Sequence, residues 1–182
     1  MTGPVMVIGV SRFLGARVAA RLAADARVGQ VIGVDVVSPP PELASLLRGV
    51  ELVRADLASQ GGAVAAFDAE VVVHLGVVTS PEGIAGGRAA MKEHNVIGTM
   101  KLLAACQRAP RLRKLVVRSS TAAYGASFRD PAVFTEDTQP QEVPRGGFAR
   151  DILDLEGYVR SFQRRCPQVT VTVLRLVPLI GS

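Results

Sequence analysis

Two short stretches near the start of the chain carry residue types that could work together on one ligand. In residues 5–15, VMVIGVSRFLG, an apolar run ends at Gly9, and Leu14 and Gly15 open an Ala/Arg-rich segment with helical spacing. A strand, a tight glycine turn and a helix start bring free backbone N–H groups and the positive end of a helix toward one point, which suits a diphosphate. Arg12 stands where such turns commonly carry a middle glycine, so its side chain either crowds the diphosphate or pairs with it. A second apolar run, residues 31–36, VIGVDV, closes on Asp35. A carboxylate there accepts hydrogen bonds from ribose hydroxyls and repels a 2′-phosphate, which favours NAD over NADP. Two glycines alone also serve turn geometry, and the weight lies in their combination with the acid.

These residues need a scaffold that presents strand ends together, and the rest of the chain predicts one. Apolar runs at 50–54, 71–75, 115–118 and 169–176 alternate with helical segments at 16–24, 88–109 and 151–166, with shorter helical turns at 42–47 and 63–67. Six strands separated by helices predict an α/β domain with a doubly wound parallel sheet in the order 3-2-1-4-5-6, layered α/β/α. Right-handed crossovers then gather Gly9–Gly15, Asp35, residues 76–79 and residues 119–124 beside one crevice. The long helix carries Val96, Met100, Leu103 and Gln107 at helical spacing. Residues 127–147, with three prolines, form a long excursion of the kind that usually serves function.

The ordered set VIGVSRFLG, Asp35, Asp56-Leu57, VVVHLG at 71–76, HNVIGT at 94–99 and SSTAAYG at 119–125 resembles the NAD-dependent epimerase/dehydratase family of extended short-chain dehydrogenase/reductases, and within it the actinobacterial homologues of UDP-glucose 4-epimerase. The resemblance spans the whole chain and implies a single NAD(P)-binding Rossmann domain over residues 1–182. It implies that the backbone of Phe13 and Leu14 meets the pyrophosphate and that Asp35 holds the adenosine ribose. Asp56 and Leu57 would lie near adenine, with Gly76, Val77 and Val78 along the cofactor. Ser120 matches the catalytic Ser/Thr that hydrogen-bonds the reacting oxygen. The implied ligands are NAD and a nucleotide sugar, and the implied assembly is a homodimer through the helices at 88–109 and 151–166.

Three positions depart from that pattern. The Tyr-x-x-x-Lys acid–base pair of the family is missing: matching FARDILDLEGY to the family helix puts Phe148 at the tyrosine and Ile152 at the lysine. Phenylalanine has no proton to give, and Ile152 continues an apolar stripe with Leu155, Val159 and Phe162. Arg12 is the second departure. Pro178, where an asparagine usually contacts substrate, is the third. Family members also continue past the sixth strand into a region that closes over the nucleotide sugar, most of which these residues do not include. Three functions stay open: an epimerase/dehydratase-type enzyme, a nucleotide-binding or sensing module without turnover, and an interaction protein whose crevice Arg12 blocks.

Composition narrows the remaining classes. The chain of 182 residues is 48% hydrophobic with no apolar run of membrane-spanning length, and the first strand begins almost at once, which predicts a cytoplasmic protein. A net charge of +5 invites nucleic acid, but the basic residues are scattered, Trp is absent and Tyr occurs twice, so no stacking platform accompanies them. No metal site is expected, because His74 sits on an apolar strand as a core histidine and Cys106 and Cys166 read as buried thiols.

Overall fold

Alternate residues of the central strands feed two separate hydrophobic clusters, and this division sets the architecture. The computed structural model describes residues 3–55, 68–125, 127–140 and 142–177. The strands are β1 (Val5–Ile8), β2 (Val31–Asp35), β3 (Val50–Arg54), β4 (Val71–His74), β5 (Lys114–Ser120) and β6 (Thr170–Leu176). They form one sheet in the order β3-β2-β1-β4-β5-β6, every neighbouring pair parallel. The expected topology is the observed one.

On one face Met6, Ile8, Ile32, Val34, Val72, Leu115 and Val117 pack beneath α4 (Thr99–Cys106) and α5 (Gly147–Arg165). On the other, Val5, Val7, Val31 and Val73 pack beneath α1 (Phe13–Ala23), with Leu47 from the short helical turns after α2 (Pro41–Ala44). A sheet covered on both faces needs apolar residues at successive positions, and β1 is buried at all four. Ile152, Leu155, Val159 and Phe162 form the buried stripe of α5, as their spacing predicts, and both cysteines are buried.

The helix of residues 87–106 departs from expectation in its middle. Between α3 (Gly87–Lys92) and α4 lies a π-helical stretch, Glu93–Gly98. Met91, Asn95, Thr99, Leu102, Leu103 and Cys106 point inward, whereas Met100 and Gln107 lie outside. These inward positions keep regular i, i+4, i+8 and i+11 spacing, so the buried face continues through the π-helical stretch and includes the polar Asn95 and Thr99. The short helix expected at 63–67, with Asp56, Leu57 and Pro178, lies outside the described residues.

Candidate functional site

The glycine turn after β1 is set by two close approaches. Gly9 has a φ of +95°, and a Cβ there would lie 2.7 Å from the Gly76 backbone at the end of β4. At Gly15 a Cβ would lie 2.0 Å from the Gly9 carbonyl oxygen, so α1 can start this close to the turn only with glycine. Arg12 needs no such freedom: it is the residue before α1, with an ordinary extended backbone (φ −116°). Its side chain leaves the turn and donates from Nη2 to the Gly83 carbonyl at 2.9 Å, across to the segment that follows β4. Phe13 and Leu14 occupy the first turn of α1. Asp35, at the end of β2, accepts from the Ser11 and Val36 backbone N–H groups at 2.9 and 2.8 Å, which ties the second strand end to the turn.

The segment after β4 is braced from below. Asn95, buried on the π-helical stretch, receives the Val78 N–H at 2.8 Å and donates to the Val78 carbonyl at 2.7 Å. His94 Nε2 lies 2.6 Å from the Gly76 carbonyl. His74 Nε2 lies 3.0 Å from Thr99 Oγ1, and its Nδ1 has no partner among the described residues. Burial, then the nearby His94 and Arg118, push the His74 pKa down to about 3. Gly76, Val77 and Val78 are thereby fixed as one wall of the crevice.

The opposite wall is the end of β5. Ser120 precedes the 3₁₀ turn Thr121–Tyr124 and accepts from the Ala122 N–H at 3.2 Å. With Thr79, Arg118, Thr121, Phe148 and Leu176 it lines a cavity of about 550 Å³. Phe148 stands on the first turn of α5, half-buried, while Ile152 is fully buried in the core one turn later. Neither tyrosine nor lysine lines this cavity among the described residues. Tyr124 instead stacks on Phe134 (centroids 4.8 Å apart) with the Arg175 guanidinium 4.8 Å from its ring.

Two ion pairs, each with a buried carboxylate, hold α5 in place behind the crevice. Arg88 meets Asp151 through both guanidinium nitrogens at 2.7 and 2.8 Å, packing over Gly147. Glu156 accepts from Ser119 Oγ at 2.6 Å and from Arg175 Nε and Nη2 at 2.9 and 2.8 Å. Burial works to raise the Glu156 pKa, but the hydrogen bonds from Arg175 and Ser119 outweigh it and hold it low. Arg175 also reaches the Glu136 carbonyl at 3.1 Å, fastening the excursion to β6. Phe128, Val143 and Pro144 of the excursion, with Ala149 of α5, border a second cavity of about 450 Å³, which shares Ala122 and Gly125 with the first.

Gly9, Arg12, Phe13, Leu14, Gly15, Asp35, Gly76, Val77, Val78 and Ser120 thus converge at the carboxyl ends of β1, β2, β4 and β5. The sequence reading passed over Arg118, Glu156 and Arg175. The available signal was a charged residue at an inward-facing position of an apolar strand or helix stripe.

The family model described as "NAD dependent epimerase/dehydratase family" matches residues 5–182. An uncharacterized protein of Mycobacterium tuberculosis is 43% identical over 180 residues, covering 97% of this chain and 47% of that protein. The chain therefore spans about half the length of the curated relatives it matches. The UDP-Glc/GlcNAc 4-epimerase of Campylobacter jejuni superposes with a TM-score of 0.81 at 16% identity, over 96% of this chain and 53% of the epimerase. A short-chain dehydrogenase/reductase superfamily protein of Agrobacterium tumefaciens, solved with bound NAD, gives 0.75 at 28% identity, over 94% and 48%. With the match running from the first strand to the last residue, the chain belongs to the NAD-dependent epimerase/dehydratase family.

Proposed function

We propose that the crevice binds a dinucleotide, NAD in preference to NADP, and that this chain holds the cofactor without turning over a nucleotide sugar. The observation that carries the first half is the pair of close backbone approaches at Gly9 and Gly15, which set the start of α1 tight against the end of β1, with Asp35 at the neighbouring strand end. The Phe13 and Leu14 N–H groups would face the diphosphate, Asp35 the adenosine ribose, and Gly76, Val77 and Val78 the length of the cofactor. NAD, when bound, supplies a hydride acceptor. Ser120 offers a hydroxyl beside it that can hydrogen-bond an oxygen of the ligand.

The second half rests on Phe148. Proton exchange with a sugar hydroxyl needs an ionisable group at the cavity wall, and the phenyl ring of Phe148 supplies none. Loss of a positioned acid–base typically costs ~10²–10⁴-fold in rate. Calorimetric titration of the 182-residue chain with NAD, NADP and UDP-glucose tests the binding, and NADH absorbance and sugar interconversion test the chemistry. NAD binding with a weaker NADP response and no turnover is expected. Turnover of ~1 s⁻¹ or faster would contradict the non-catalytic assignment.

One observation favours a second reading, an interaction protein with a closed crevice: the Arg12–Gly83 bond joins the two rims. The Arg12→Gly variant separates the two. If neither it nor the parent binds NAD, the closed-crevice reading stands and the dinucleotide site falls.

A further inference from the structure

Among the described residues, Arg118 is the one cation lining the cavity beside Ser120. On β5, Leu115, Val117 and Ser119 face the α4–α5 side, and Val116, Arg118 and Ser120 face the other. Elsewhere in the fold Arg88 is paired with Asp151 and Arg175 with Glu156, both carboxylates buried. Arg118 has no carboxylate partner among the described residues, only the Val77 carbonyl, 3.3 Å from Nη1. Burial, and then the charge of Arg12, lower its pKa. Arg12 likewise rests on a main-chain carbonyl, that of Gly83. The fold therefore brings two guanidinium groups toward one crevice without an acid between them, an arrangement that attracts an anion. The hydroxyl side chains of Thr79, Ser120 and Thr121 line the same cavity and can share an oxyanion without repelling it. A planar guanidinium fork matches paired carboxylate or phosphate oxygens.

We propose that Arg118 is the oxyanion-recognition residue of this crevice, and that the ligand presents to it a phosphate or carboxylate oxygen. The inference deepens the reading of the crevice as a ligand site by assigning the charge of the ligand at the Ser120 end.

The test compares the parent with Arg118→Gln and Arg118→Lys. Thermal unfolding is followed in sodium pyrophosphate, in sodium glucuronate and in sodium chloride at matched ionic strength, each anion at about 10 mM. One of the two oxyanions should raise the midpoint of the parent by a few degrees beyond chloride. The excess should vanish in Arg118→Gln and survive in part in Arg118→Lys. Pyrophosphate as the effective anion identifies a phosphate ligand, and glucuronate a carboxylate. Arg118→Met, of similar length, replaces the glutamine variant should that one fail to fold. An equal excess in parent and variant, or no excess in the parent for either oxyanion, overturns the assignment. A parent that binds no NAD yet shows the Arg118-dependent shift removes the dinucleotide reading and leaves this one. NAD binding with no Arg118-dependent shift does the reverse.

Discussion

Asp35 has two tasks at a single carboxylate. Its oxygens already accept the Ser11 and Val36 N–H groups, and a carboxylate keeps further lone pairs for other donors. Asp35→Ala should erase the preference for NAD over NADP, read as the ratio of dissociation constants. It should also cost ~1–3 kcal/mol of stability, because two backbone donors lose their acceptor. The first effect without the second would show that the turn is held by other bonds. His74 gives a pH dependence. Its folded pKa, about 3, lies below its ordinary 6.5, so the unfolded chain takes up a proton that the folded one refuses. The stability this group supports is whole above 6.5 and is lost as pH falls toward 3, at a slope approaching about 1.4 kcal/mol per pH unit. Urea unfolding at pH 7.5 and pH 5 should differ by about 2 kcal/mol from this source, and His74→Gln should shrink the gap. Glu156, whose folded pKa is also depressed, acts with the same sign: its contribution is present above 4.5 and is lost as pH falls below that. Gly9, Gly15 and Asp35 were legible in the sequence because turn chemistry is local. Arg118 was not, because its meaning comes from the carboxylate it lacks, and that is known only when the strands are side by side.

At the scale of elements, α5 shows why the catalytic pair is not restored by two substitutions. Phe148 lines the cavity, but Ile152 is fully buried with Leu155, Val159 and Phe162 in the core. Ile152→Ala should destabilise the chain by ~2–4 kcal/mol, measured by denaturant unfolding. The double variant Phe148→Tyr, Ile152→Lys should remain without epimerase activity and melt earlier than the parent, since the lysine enters an apolar site. Recovered turnover in that variant would show that α5 can shift toward the crevice. The apolar stripe of α5 follows regular α-helical spacing and is readable from sequence. The helix of residues 87–106 is not, since its buried face carries the polar Asn95 and Thr99, whose partners Val78 and His74 come from a distant strand end. Asn95→Leu should keep most of the volume yet strand the Val78 N–H and carbonyl. Faster proteolysis around residues 76–83 is the expected readout, and unchanged cleavage would place the brace elsewhere.

For the molecule as a whole, the sheet order and its two faces followed from unbroken apolar runs. The excursion of residues 127–146 carries no strand or helix among its described residues. Its anchors, Arg175 to the Glu136 carbonyl and Tyr124 on Phe134, join distant parts of the chain, which no local spacing announces. Half the length of the curated relatives suffices for a sheet with both central faces covered. That sheet is graded from the middle outward: β1 is buried throughout, whereas β3 and β6, at the two edges, alternate between partial cover and exposure. The gradation has a counterpart in time. In deuterated water the amides of β1 and β4 should keep their protons longest, since freeing them requires opening of the whole sheet. Those of β6 should be replaced earlier by outward peeling of a single strand. Since β6 carries Arg175, the clock that starts at this edge also runs for the excursion it fastens, and both should lose their protons together.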